Sequence, residues 1–202
     1  MRVLLLSPYP HRISGPIEQA GDEWHATADR ITPDDCDGFD MLVSFGYKYI
    51  LKPDVLDRFR TRAINIHIAA LPWNRGYHPN VWAWLTDTPH GVTIHRINEG
   101  IDTGPIMFQM LVKMNPENHT FATSYEFLMG AADDMFARLW KTNIRTGNYQ
   151  LAANHGGSHH FARELPAHCL PDGWNTPVLV GRELYQKDAA TIGRVVASNV
   201  VE

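Results

Sequence analysis

The apolar positions of this chain follow two different periods. Val3–Leu6 runs into Ser7-Pro8-Tyr9-Pro10, and Met41–Phe45 follows the turn-forming pair Asp37-Gly38; each predicts a buried strand. Ala63–Ile68 predicts a third strand, Gly91–Ile97 alternates like a half-buried fourth, and Pro105–Val112 supplies a fifth. Pro53–Phe59 predicts a short helix with proline in its first turn, and residues 79–87, carrying Val81, Trp82 and Leu85, predict another. Thr123 and Glu126 have the spacing of a capping box. Behind them Leu128, Ala132, Met135, Phe136 and Leu139 recur at helical spacing, and Gly147 follows as a stop signal, which predicts a long amphipathic helix. Residues 154–177 are rich in glycine, histidine and proline and read as loops; residues 188–200 fit a second amphipathic helix. Strands alternating with helices predict an α/β domain with a largely parallel sheet.

The length of 202 residues suits one domain, residues 1–202, with about 150–202 as a loop-rich C-terminal extension. Hydrophobic residues at 44% and charged residues at 20% exclude a disordered or fibrous chain. The net charge of −4, without a Lys/Arg cluster, argues against nucleic acid as a partner. Cys36 and Cys169 are too few for a disulfide framework and favour a reducing compartment. No apolar run nears the ~18 residues needed to span a bilayer. The N-terminal run ends at Ser7-Pro8, too soon for a signal peptide, so a cytoplasmic location and no membrane partner are expected.

Several chemistries lack their motifs. There is no G-x-G-x-x-G after the first strand, no phosphate loop with lysine, no H-E-x-x-H, no C-x-x-C and no G-x-S-x-G. No metal is expected; of 11 histidines only His159 and His160 are adjacent, and adjacent side chains rarely share a face. Residues 63–107 are dense in polar groups instead. Asn65 and His67 lie two apart on a predicted strand, so they project to one face, among the apolar Ile64, Ile66 and Ile68. Polar groups in such a strand cost free energy unless partnered, and the carboxyl ends of strands are where open α/β sheets bind ligands. Asp102 sits in the loop Asn98-Glu99-Gly100-Ile101-Asp102-Thr103-Gly104. An amide, an imidazole and a carboxylate together can carry acyl transfer to an amine: the amide N–H holds the developing oxyanion, the imidazole polarises it or moves a proton, and the carboxylate fixes the imidazole tautomer. By spacing alone, Asn65 and His67 also fit an inert hydrogen-bonded core pair, Asp102 fits a turn former, and His95 fits a structural strand residue.

Four ordered motifs decide between these readings. Asn65-Ile66-His67, Leu71-Pro72-Trp73-Asn74-Arg75-Gly76, His90-Gly91-Val92-Thr93-Ile94-His95 and Glu99-Gly100-Ile101-Asp102-Thr103-Gly104 resemble the 10-formyltetrahydrofolate-dependent formyltransferase family. Asn98 stands where that family's loop has an aspartate. The resemblance implies a Rossmann-like sheet flanked by helices, 10-formyltetrahydrofolate as formyl donor, transfer to a primary amine, and catalytic roles for Asn65, His67 and Asp102. It implies a folate pocket walled by Tyr47, Tyr49, Ile50 and Leu51 on one side and by Asn98, Glu99, Gly100 and Ile101 on the other. The chain is most similar to the members acting on nucleotide-linked amino sugars, since Ser7-Pro8-Tyr9-Pro10-His11 replaces the phosphate loop of glycinamide ribonucleotide formyltransferases. A nonulosonic acid precursor, a carrier-bound aminoacyl group, or hydrolysis of the formyl donor stay open as alternatives. Around the predicted site, Tyr9, His11, Arg12, Trp73, Arg75, Gly76, Tyr77 and His78 are the expected substrate contacts. The family often dimerises, so a homodimer through the C-terminal third is a further expectation.

Overall fold

The structure is a computed structural model that describes residues 1–198, with side chains to residue 188. Its centre is a six-stranded sheet in the order β2-β1-β3-β4-β6-β7, formed by β1 (Arg2–Leu6), β2 (Glu23–Thr27), β3 (Met41–Phe45), β4 (Ala63–His67), β6 (Gly91–Arg96) and β7 (Ile106–Leu111). The four strands β2, β1, β3 and β4 run parallel; β6 and β7 are antiparallel additions beyond β4. Flanking helices are α1 (Ser14–Gln19), α2 (Pro53–Phe59), α3 (Pro79–Leu85), α4 (Phe121–Leu139) and α5 (Val178–Ser198). The expected mostly parallel sheet flanked by helices is therefore present. A two-residue parallel pair, β5 (Arg75–Gly76) with β8 (His159–His160), stands outside the main sheet.

The strand period of two sorts the core into layers. Val3 and Leu5 of β1 face the side of α4, packed with Val43, Ile64, Ile66 and Ile94 against Leu128, Ala132, Phe136 and Trp140. Leu4 and Leu6 face the opposite side with Leu42 and Ala63, covered by Val55, Leu56 and Phe59 of α2. Asn65 and His67 share the parity of Ala63, so they continue that second face toward the carboxyl end of β4, beyond the apolar cover.

Two expectations need correction. The N-cap of α4 is Thr120, not Thr123. Thr123 is its N3 partner, the two exchanging backbone-to-hydroxyl bonds of 2.9 and 3.1 Å, while Glu126 pairs with Arg12. The C-terminal helix starts at Val178, ten residues before the expected boundary; residues 199 and 200 of that expectation lie outside the described residues. Neither α1 nor β2 was legible in the pattern. α1 is six residues containing Gly15 and Pro16, and β2 is an edge strand, Glu-Trp-His-Ala-Thr, with no fully buried position. Among the described residues no helix is long and apolar enough to cross a membrane.

Candidate active site

Asn65 and His67 emerge near the carboxyl end of β4, and the antiparallel neighbour β6 sets His95 directly opposite Asn65. The ladder of β6 with β7 slips between Ile94 and His95, an irregularity that re-aims the strand beside the site. The following loop delivers Asp102. Asn98 folds this loop from within, its side-chain oxygen accepting from the Gly100 N–H (3.2 Å) and the Thr103 hydroxyl (2.8 Å). Gly104 lies so close to the Arg96 carbonyl that a Cβ there would collide with it. Asp102 itself adopts φ 52°, a left-handed conformation held by its surroundings.

Those surroundings come largely from the C-terminal segment. The Asn154 amide donates to the carbonyls of Asp102 (2.9 Å) and Gly104 (2.8 Å). Arg75 donates from Nε to the Asp102 carbonyl (3.2 Å), and its two terminal nitrogens donate to the carbonyls of Gly156 (2.7 Å) and Asn154 (2.9 Å) and to Asn154 Oδ1 (2.9 Å). Every guanidinium nitrogen thus serves the scaffold.

The carboxylate of Asp102 is the hub. One oxygen accepts from the Asn65 side-chain amide (3.1 Å) and lies 3.4 Å from His95 Nε2; the other accepts from the Gly76 N–H (2.9 Å) and lies 3.6 Å from His67 Nδ1. The tautomers follow from the outer partners. His67 Nε2 meets the Asn74 carbonyl at 3.0 Å and His95 Nδ1 meets the Arg96 carbonyl at 2.8 Å. A carbonyl only accepts, so these two nitrogens carry protons. Each ring therefore turns its other nitrogen toward Asp102, where a gained proton would face a negative charge. Burial works against ionisation of Asp102, yet the attraction of His67 and His95 in their protonated forms, together with the Gly76 N–H, outweighs it and holds the carboxyl well below the usual carboxylate range.

A cleft of about 420 Å³ opens over this group. Tyr47, Tyr49, Ile50 and Leu51 form one wall, with Ile50 67% exposed. Asn98, Gly100 and Ile101 form the other; Glu99 belongs to that loop but does not line the cleft. Gly76, Tyr77 and His78 close the far end, beside Tyr125 and Met129 of α4. The remaining expected substrate contacts do not line it. The Tyr9 ring packs under Gly46, His11 is exposed, Arg12 is ion-paired with Glu126 (2.6 Å) and Asp133 (2.8 Å), Trp73 is 40% exposed elsewhere, and Arg75 is committed to the scaffold. Sequence reasoning read His95 as a structural strand residue and did not single out Asn154. A cross-strand register would have flagged the first. Only a contact spanning 52 residues reveals the second.

A family model for formyl transferases matches residues 32–136, just over half the chain, including all four residues around the carboxylate hub. The chain is 34% identical to the methionyl-tRNA formyltransferase of Aromatoleum aromaticum over 131 residues, 60% of this chain and 40% of that protein. It is 28% identical to the bifunctional polymyxin resistance protein ArnA of Wigglesworthia glossinidia brevipalpis over 137 residues, 67% of this chain and 21% of that protein. It thus spans well under half the length of these two curated relatives. Its structure superimposes on the formyltransferase PseJ from Anoxybacillus kamchatkensis, solved in complex with UDP-4,6-dideoxy-4-formamido-L-AltNAc and tetrahydrofolate. The TM-score is 0.84 and the identity 39%, covering 90% of this chain and 99% of that one. The fold, the matched motifs and the near full-length likeness agree: this chain belongs to the formyl transferase family.

Proposed function

We propose that this chain moves the formyl group of 10-formyltetrahydrofolate to the primary amine of a nucleotide-linked amino sugar. The observation that carries the reading is the Asp102 hub at the foot of a cleft with an apolar, aromatic wall. The likeness to PseJ, solved with a UDP-linked formamido sugar and tetrahydrofolate, supports the substrate class.

The cleft fits the donor: its volume lies in the range of small-molecule pockets, and Tyr47, Tyr49, Ile50 and Leu51 offer flat apolar contact beside exposed loop backbone. When bound, the donor supplies an already activated formyl group, so no covalent nucleophile from the protein is needed. The substrate amine attacks the formyl carbon as the neutral base. In this reading the Asn65 amide supports the negative charge that develops on the formyl oxygen, and His67 joins it once its Nδ1 has gained a proton. The Asn65 amide gives one N–H to Asp102 and lies 3.3 Å from His95 Nε2; the longer contact is the one free to turn toward that oxygen. The amine loses one proton, for which the nitrogen of His67 or His95 facing Asp102 is the acceptor, and the leaving nitrogen of the donor takes up one proton in turn. Asp102 stays ionised and stabilises whichever imidazolium forms.

The test is a spectrophotometric assay for tetrahydrofolate release, with and without UDP- and dTDP-linked amino sugars. Release that depends on one sugar amine is expected. Equal release without any amine, accompanied by free formate, would replace the transferase reading with a hydrolase.

A further inference from the structure

Away from the cleft, three metal-ligating side chains of different chemistry converge. His168 and Cys169 sit together on the turn Ala167–Cys169, and Asp188 projects from α5. His168 Nε2 contacts an Asp188 carboxylate oxygen and lies 3.3 Å from Cys169 Sγ; the three ligand atoms all fall within 4.8 Å of one another. The Cys169 side is fully buried, whereas the side chains of His168 and Asp188 are 56% and 48% exposed, so the group is closed on one flank and open to solvent on the other.

Proton bookkeeping shows what this arrangement lacks. Both partners address the same ring nitrogen. If Nε2 carries a proton, it donates to Asp188, and the thiol proton of Cys169 then has no acceptor on the ring. If Nε2 carries a lone pair, it accepts from the thiol but faces a carboxylate with nothing between them. A hydrogen joins two of these atoms; a cation joins all three. Imidazole nitrogen, thiolate and carboxylate together form the mixed donor set of zinc-class ions, and ligand atoms of a tetrahedral zinc site lie about 3.5 Å apart, close to the sulfur–nitrogen separation here. The sequence patterns of familiar zinc sites do not include it, because the fold brings in the third ligand from 19 positions along the chain.

We propose that His168, Cys169 and Asp188 bind a zinc-class divalent cation, with solvent in the fourth position, and that the ion clamps α5 to the turn that precedes it. Binding converts the Cys169 thiol to a thiolate and releases one proton to solvent. None of the three residues lines the cleft, so this site is separate from the formyl-transfer chemistry.

Cobalt(II) titration of the chelator-stripped, reduced protein tests it. One equivalent is expected to give tetrahedral d–d bands with a sulfur-to-cobalt charge-transfer band. Zinc is expected to raise Tm by about 3 °C or more at saturation. Cys169→Ser abolishes the charge-transfer band, His168→Ala, at an exposed position, weakens binding at least tenfold without loss of fold, and Cys36→Ser changes neither. No sulfur-to-cobalt band in the folded wild type, or an unchanged band in Cys169→Ser, overturns the proposal. Because the readouts are spectral and thermal, failure here leaves the formyl-transfer reading untouched.

Discussion

The side chains at the foot of the cleft gather round one carboxylate whose four contacts come from three different parts of the chain: Asn65 and His67 on β4, Gly76 on β5 and His95 on β6. Asp102→Asn keeps the shape and removes the charge that both imidazoles face. It is expected to lower kcat by about 10²- to 10⁴-fold with the melting curve little changed; turnover near wild type would remove Asp102 from the mechanism. Asn154 touches none of the reacting groups directly. It holds the two carbonyls that bracket the Asp102 turn, so it is a positioning residue. Asn154→Ala is expected to lower kcat by about 10²-fold while KM for the formyl donor stays within a factor of two, since the donor walls are untouched. A rise in KM with kcat unchanged would contradict this. At this scale Asn65 and His67 were legible because a strand shows one face at every second residue, and Asp102 because its loop motif is ordered after theirs. Arg75 was legible as a position but misread as a contact. Its charge suggests a ligand, yet carbonyls 27, 79 and 81 residues away along the chain consume it.

Among elements, the buried end of the sheet shows how one charge ties several together. Asp22, in the turn before β2, accepts from Arg145 Nε (2.7 Å), from the Met1 amino group (2.7 Å) and from Trp140 Nε1 (3.2 Å), linking β1, β2 and the turn after α4. Burial opposes its ionisation, but Arg145 and the amino group more than offset this and lower its pKa. A carboxyl with a depressed folded pKa stabilises the fold above its unfolded value, about 3.9, and loses that contribution as pH falls through the folded value. Asp22→Asn is therefore expected to lower Tm at pH 7, with the gap to wild type narrowing below about pH 4. A gap that does not change with pH would show that the ion pair is not its source. Elements of strong period, β1, β3, β4 and α2, were legible to within a residue or two. β2 was not, since an exposed edge strand needs no apolar alternation.

For the whole molecule, the segment around residues 154–160 closes the site from outside the sheet. Gly157 has φ +76°, and a Cβ on it would strike the Pro72 carbonyl; Ser158 bonds the Asn74 N–H, and His159–His160 pairs with Arg75–Gly76. Gly157→Ala is expected to cost at least about 1 kcal/mol in urea unfolding and to depress kcat, because the strain is passed to Gly76 and Asp102. Gly130→Ala, in the middle of α4 with open space around it, is expected to stabilise by about 0.5–1 kcal/mol. The same sign for both substitutions would refute the structural distinction between them. The α/β class was legible from the alternation of elements. The antiparallel turn-back at β6 and β7, which places His95 beside Asn65, was not, because strand order depends on packing between distant segments.

The Ser158–Asn74 bond joins positions 84 residues apart, and the Asn154–Asp102 bond spans 52. During synthesis the strands that carry Asn65, His67 and His95, and the loop that carries Asp102, all leave the ribosome before Asn154 does. The sheet can pair and bury its core while the Asp102 turn is still unlatched. If the proposed function holds, a chain interrupted before residue 154 is expected to carry all six strands of the central sheet yet lack the Asn154 bonds that seat the Asp102 turn, so an unfinished product would be silent rather than a leaky catalyst.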